Sequence, residues 1–419
     1  MEIVNGPLAG VRGIVLTQAW AGTYCTELLA FMGVDLIQIE VLQRPDAWRG
    51  SYDAPLAGRM KDVPTAEHSW NCNFLYNSVN LNKRCITLNL QHPDGMAVFK
   101  RLLPFADVVV ENFSPRVLGN LGIDYEAMRE IKSDVILCSL SAYGHTGPWA
   151  NIPGIGGTIE PTSGMSALLG YPDGGPMNSG QMYPDAVAGL NGFAALVTAL
   201  RHRQQTGEGQ YIDLSMQEAN LVFAGDAALE YIRTGRQRPR QGNRHPRWAP
   251  HGIFRCSGEE QWVALSCESQ AHWAALKKIL AAPALDAPEF ATNDSRKAHE
   301  DALEGAIEAA TSSCVRDELV AALQGEGIPA APVLSPLEVA ADPALRARNV
   351  VMEVTHPEAG TWPQSGVPWH FSSVPNPPLR PAPRLGEHSA EVLAELLGTT
   401  AEEYDSLVAA GVSGIDPPR

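Results

Sequence analysis

The chain is short of positive charge, of paired cysteines and of long apolar runs, and each shortage closes off a class of function. Thirty-one basic against 47 acidic side chains leave a formal charge of −16 over 419 residues. A surface of that sign repels nucleic acid and anionic membranes, so neither is an expected partner. Any anionic ligand must be held by a local basic patch or by helix N-termini. The seven cysteines are scattered, with no C-x-x-C and no pair beside histidines at zinc spacing. That pattern predicts a reduced, cytoplasmic protein without disulfides or a metal site. No stretch reaches 18 apolar residues, and "MEIVNGPLAGVRGIVL" is neither basic nor apolar enough for a signal peptide. The G-x-G-x-x-G of dinucleotide binders is missing too. The turn after the first strand reads "TQAWAGTY" instead, so NAD and FAD are not expected.

What is present is strand and helix in alternation. "VRGIVLT" (11–17), "VDLIQIE" closing on Glu40, "DVVVENF" (107–113) and "DVILCSLSAYG" (134–144) are apolar strands, separated by the helical stretches "GTYCTELLAFMG", "HPDGMAVFKRLLPFA" and "DYEAMREI". Such alternation predicts a Rossmann-like α/β fold, a parallel sheet covered by helices on both faces. From Gly144 to Pro184 runs a glycine- and proline-rich stretch with little helical period, expected to be an ordered, site-forming loop. A long apolar helix follows, then the strand "GQYIDLSM" and a helix to about Tyr231. Composition shifts at the basic linker "RTGRQRPRQGNRHPRWAPHG". Beyond it, "IFRCSGEEQWVALSC" reads as a hairpin, followed by amphipathic helices. The division expected is a large domain from 1–232 and 341–419 and a smaller α+β domain from 233–340.

One carboxylate stands out. Asp185, in "YPDAVAGLNG", heads the long apolar helix, where an aspartate is ordinarily a cap. Gly189 and Gly192 lie four and seven residues on, along its own face, and each costs about 0.5–1 kcal/mol relative to Ala in a helix. Something must come close there: another backbone, another chain or a ligand. A helix dipole at this position favours the ionised form, which nucleophilic catalysis by aspartate requires. On this physics alone, cap and nucleophile both stay open.

Seven segments carry a resemblance over some 390 residues: "PLAGVRGIVL…TELLAFMGVDLIQIE", "LNKRCITLNLQHPDG", "ADVVVENFSPRVLGNLGI", "VILCSLSAYGHTGPW", "GLNGFAALVTALRHRQQTGEGQYIDLSM", "GIPAAPV" and "LGEHSAEVLAELLG". In this order they resemble the family III CoA-transferases, the formyl-CoA:oxalate and carnitine CoA-transferase group. The resemblance implies that Asp185 is the catalytic nucleophile, passing through an aspartyl-CoA thioester. It implies CoA thioesters as substrates with no permanently bound cofactor, and an interlocked dimer of two like or two related chains. CoA contacts carried over fall on Ala19, Trp20 and Ala21, on Leu88, Asn89 and Gln91, and on Asn112, Phe113 and Ser114. Arg116, Asn120, Gly154 and Ile155 complete the set, and no metal ligand is implied.

The sequence also departs from the family. Positions that commonly carry basic residues against the CoA phosphates hold Val41, Gln91 and Asn120. Arg44, Lys83, Arg84 and Arg116 are the candidates to supply that charge, with Lys83 and Arg84 reading equally as plain surface charge, and Trp20 as core. The second-domain glycine loop is reduced to Gly242 in "RQGNRHP". A rival, α-methylacyl-CoA racemase, needs a second acid/base, the histidine of a "GHD" sequence. Gly154, Ile155 and Gly156 stand in its place, and His145 falls too early. A third reading makes the chain the catalytic member of a hetero-oligomeric transferase. The aromatic loop residues Trp149, Tyr171 and Tyr183 suggest a pocket for an aromatic or branched acid, reminiscent of succinyl-CoA-dependent benzylsuccinate transferases.

Overall fold

The computed structural model describes residues 6–52 and 67–417. Six strands form one parallel sheet: β1 (Arg12–Leu16), β2 (Asp35–Glu40), β3 (Arg84–Thr87), β4 (Val108–Glu111), β5 (Ile136–Ser141) and β6 (Tyr211–Ser215), in the order β3-β2-β1-β4-β5-β6. The near-continuous apolar runs seen in the sequence are explained by this placement. β4 and β5 are buried along their whole length, as strands covered on both faces must be. Strand order reverses between β1 and β4, the point at which open α/β sheets bind ligands beyond their strand C-termini.

Four helices matter for that end of the sheet: α1 (Ala21–Phe31), α2 (Pro93–Leu102), α3 (Gly156–Thr162) and α4 (Tyr183–Thr206). α1 is buried almost all round, packed against the sheet and against α4. The two glycines that stood out on α4 find their partner here. A Cβ on Gly189 would lie 3.0 Å from the Ala21 carbonyl oxygen and 3.0 Å from Tyr24 Cδ1. One on Gly192 would lie 3.0 Å from Leu140 Cδ2 and 3.1 Å from Cys25 Sγ. They serve close packing of α4 on α1 and β5, so the close approach expected there is made by α1, not by a ligand. α3 lies inside the stretch expected to be loop. The hydroxyl of Thr158 accepts the Ile155 N–H at 3.0 Å and starts the helix, a local signal that apolar periodicity does not register.

The chain divides into two compact units. One is drawn from Met1–Met165, Asn178–Ala228 and Pro343–Arg419 and holds the six-stranded sheet. C-terminal residues close the sheet's β3 edge in this unit: Thr87 N donates to Ser389 Oγ at 3.0 Å and Asn89 N to the Val412 carbonyl at 2.8 Å. The other unit, Ser166–Met177 and Leu229–Asp342, has its own antiparallel sheet of β7 (His251–Arg255), β8 (Trp262–Ser266) and β9 (Ala330–Pro332). Its core gathers Phe254, Trp273, Leu303 and Leu323 from those strands and from helices α5 (Gln270–Leu280), α6 (Glu300–Thr311) and α7 (Arg316–Gly325). Among the described residues no helix is long and apolar enough to cross a membrane.

Candidate active site

The turn between β1 and α1 opens at the switch point and is pinned there. Gln18 N donates to Asn112 Oδ1 and Asn112 Nδ2 returns a bond to the Gln18 carbonyl, both at 2.8 Å. The end of β4 and the end of β1 are thereby tied into one surface. Ala19 takes a left-handed φ of 56° in this turn, and Trp20 is the residue before the first turn of α1. Thus Ala19, Trp20, Ala21 and Asn112 come together, with Phe113 and Ser114 continuing from β4.

Asp185 arrives at the same place from α4. It is not the cap. Met182, at a left-handed φ of 48°, caps α4 without a side-chain bond, and Asp185 sits in the helix's first turn with its N–H on the Met182 carbonyl at 3.0 Å. Its carboxylate turns instead toward the first residues of two other helices. The backbone N–H groups of Ala21, opening α1, and Gly156, opening α3, both favour its charge. Oδ1 itself closes no hydrogen bond of good geometry with a described group. Only 8 % of Asp185 is exposed. Burial outweighs the two N–H groups and pushes its pKa from 3.8 up to about 6. Desolvation therefore moves its pKa upward, against the direction in which a helix dipole acts. At neutral pH the carboxylate is still mostly ionised, and a more basic carboxylate is a better nucleophile.

Space around Asp185 is tight by design of the sequence. A Cβ at Gly156 would stand 2.3 Å from Asp185 Oδ1 and 2.7 Å from Met182 Cβ. This glycine, with Gly154 and Ile155 before it, occupies the position at which the racemase reading needs an acid/base. Ile155 is largely exposed beside it. His145 faces elsewhere: its backbone N–H bonds Asp213 Oδ1 at 2.9 Å, and its ring Nε2 lies 3.8 Å from Glu111 Oε1.

The remaining candidates line the ends of β3 and β4. Leu88 is buried in the core, leaving only its backbone to a ligand, while Asn89 is half-buried and Gln91 exposed. Arg116 and Asn120 are exposed on the helix after β4. Two charge candidates must be corrected. Lys83 is buried, its Nζ donating to the Thr23 carbonyl at 2.9 Å and to Asn80 Oδ1 at 2.8 Å, so it is neither surface charge nor a phosphate ligand. Burial also lowers its pKa to about 8, close to a buried Glu27 that burial raises to about 8. Arg84 is spent on Asp35 and Glu395, at 2.6 and 2.7 Å. Arg44 and Arg116 remain, both exposed and without an ion pair among the described residues. Tyr171 lies in the other unit, where Gly242 packs on its ring.

Sequence reasoning missed Asp46. This buried carboxylate accepts the Ala19 N–H with both oxygens, at 3.1 and 3.0 Å. Its signal in the sequence, a lone acid in "RPDAWRG", is too short to read without the fold.

Comparison with known proteins decides the family. The profile of CoA-transferase family III matches residues 8–389. The chain belongs to that family. It is 32 % identical to succinate–glutarate CoA-transferase of Agrobacterium fabrum, over 93 % of this chain and 96 % of the relative. Succinyl-CoA–D-citramalate CoA-transferase of Chloroflexus aurantiacus is 31 % identical, over 96 % of this chain and 97 % of the relative. A solved CAIB/BAIF family protein from Brucella suis shares the fold at a TM-score of 0.84 and 31 % identity, covering 94 % of this chain and all of that one. This family III protein is thus an enzyme of the CoA-transferase class, and CoA thioesters are its class of substrate.

Proposed function

We propose that this enzyme moves CoA from succinyl-CoA to an aromatic or branched dicarboxylic acid such as benzylsuccinate, with Asp185 as the covalent carrier. Asp185 attacks the thioester carbonyl, giving a mixed anhydride and CoA thiolate. The thiolate then attacks the aspartyl carbonyl, releasing succinate and leaving an aspartyl-CoA thioester. The acceptor carboxylate attacks that thioester and again frees the thiolate. Attack of the thiolate on the acceptor acyl carbon gives the new thioester and restores Asp185. Each exchange is between carboxylates of similar energy, so no step faces a large leaving-group mismatch.

The observation that carries this reading is the placement of Asp185. It is buried, raised in basicity, and faced by the N–H groups of Ala21 and Gly156. In this reading the same N–H groups support negative charge on the aspartyl carbonyl oxygen when thiolate or carboxylate attacks it. Succinyl-CoA as donor is supported by the Chloroflexus relative, a succinyl-CoA–D-citramalate CoA-transferase, and a succinyl group by the Agrobacterium succinate–glutarate relative. The aromatic acceptor is supported by exposed Trp149, edge-on to Tyr143 at 5.2 Å, and Tyr183, edge-on to Phe223 at 5.3 Å. In this reading CoA crosses the β1–α1 turn, Asn112 and Gly154–Ile155, with Arg44 and Arg116 toward its phosphates, and the working form is a dimer. The test is an assay of succinyl-CoA against a panel of acids including benzylsuccinate, glutarate and oxalate. Transfer to benzylsuccinate above the small acids supports the proposal; turnover of monocarboxylates or oxalate alone contradicts the acceptor.

A further inference from the structure

Ala19 adopts a backbone conformation disfavoured for any residue with a Cβ, yet it sits in the turn that meets both CoA and Asp185 in the reading above. Such a conformation persists only where the surroundings over-determine it. Asn112 holds the preceding residue, Gln18. The residue itself is held from 27 positions away, by Asp46 Oδ1 and Oδ2 on its N–H. Asp46 Oδ1 also accepts the Trp48 N–H at 2.8 Å, and the Trp48 ring lies tilted against Trp20 with centroids 5.9 Å apart. The segment carrying these groups is anchored in turn. Arg49, fully buried, donates to Glu40 at 2.7–3.0 Å, to Asn71 Oδ1 at 3.1 Å and to the Pro383 carbonyl at 3.0 Å, and lies over the Tyr76 ring at 3.6 Å.

We propose that Asp46 is a positioning residue for CoA binding: by holding the Ala19 N–H it keeps the β1–α1 turn in its left-handed form, so that Trp20 and Ala21 are presented to the ligand. The inference rests on the reading of that turn as a CoA contact. Asp46 never touches the reacting atoms. It acts through the backbone of Ala19. Glu40, Arg49 and Lys83 are the charged groups that act on it. Burial, reinforced by Glu40, raises its pKa to about 6, so its hold on the turn weakens as pH falls through that value.

The test is calorimetric titration of the full-length protein with free CoA, alongside thermal melting. Asp46→Ala is expected to weaken CoA binding at least tenfold. Asp46→Asn keeps one neutral acceptor for the Ala19 N–H, as protonated Asp46 does, and is expected to bind CoA about two- to threefold more weakly than wild type at about pH 7.5. Ala19→Gly, added to Asp46→Ala, removes the penalty of the left-handed turn and is expected to recover most of the lost affinity. If Asp46→Ala does not fold, the pH series decides. Wild-type affinity should fall more steeply below pH 6 than that of Asp46→Asn, since CoA and Asp185 titrate alike in both. Asp46→Ala binding CoA within twofold of wild type, or identical pH profiles, would overturn the proposal while leaving Asp185 chemistry untouched. Wild-type protein without CoA affinity would overturn the reading of the turn and Asp46's part in it together.

Discussion

Replacing Asp185 with Asn should make the protein more stable while stopping the reaction. The carboxylate has been taken from an ordinary pKa of 3.8 to about 6 by burial. Each tenfold change in proton affinity is worth about 1.4 kcal/mol, so keeping this group ionised at pH 7.5 costs the folded state about 3 kcal/mol. Asn has the same shape, keeps an oxygen toward the Ala21 and Gly156 N–H groups, and carries no charge to desolvate. Its buried NH2 group takes back part of the gain, leaving an expected net stabilisation of about 1–3 kcal/mol at pH 7.5. The sign in pH follows from which state holds the proton. Between pH 4 and 6 the folded protein binds it more tightly than the unfolded chain, so the contribution of Asp185 to wild-type stability falls as pH rises through that window. The advantage of Asp185→Asn should therefore shrink by about 2 kcal/mol on going from pH 7.5 to 4.5. Urea denaturation of both proteins at the two pH values measures this directly. A variant less stable than wild type at pH 7.5, or an advantage that grows toward acid, would refute the account of Asp185 as a desolvated carboxylate. Transfer activity of the same variant should drop by about a thousandfold or more.

Other consequences are as concrete. Gly156→Ala forces a methyl group to within 2.3 Å of Asp185 Oδ1, so kcat should fall by about a hundredfold with the protein still folded. Unchanged kcat would show that Asp185 has slack the structure does not. Glu40→Gln strips the buried Arg49 of its counter-charge, and urea denaturation should register a loss of about 3–5 kcal/mol. A loss under about 1 kcal/mol would mean water reaches that pair. Arg116→Gln and Arg44→Gln should each raise KM for acyl-CoA by about five- to tenfold and flatten its dependence on salt, with kcat unchanged. Equal salt dependence in wild type and variants would place the phosphates elsewhere.

The alternation of apolar strands and helices made the parallel sheet legible, because strands buried on both faces leave an unbroken apolar trace. Asp185 stood out in the sequence as an aspartate at a helix head, and the small residues after it signalled a close approach, which the packing of Gly189 and Gly192 makes. What approached was not legible: a missing Cβ announces a neighbour without naming it, and α1 comes from residues far away in sequence. Lys83 was misread for the same reason. Nothing local distinguishes a lysine on the surface from one whose ammonium is sunk among carbonyls of α1 and the chain before β3. α3 escaped notice because Thr158 starts it through one side-chain bond, and Pro161 lies within it. Asp46 acts across 27 residues and becomes visible only once β1 and β2 are laid side by side.

The central claim, that Asp185 carries the CoA, is tested most directly by trapping it. The enzyme is mixed with succinyl-CoA without acceptor, reduced with borohydride or treated with hydroxylamine, digested, and the peptide containing Asp185 is weighed by mass spectrometry. The account predicts modification at Asp185 (the hydroxamate, or the alcohol left by reduction of an aspartyl thioester), absent without succinyl-CoA and absent in Asp185→Asn. An unmodified Asp185 peptide from enzyme that is turning over, together with an active Asp185→Ala, would contradict it.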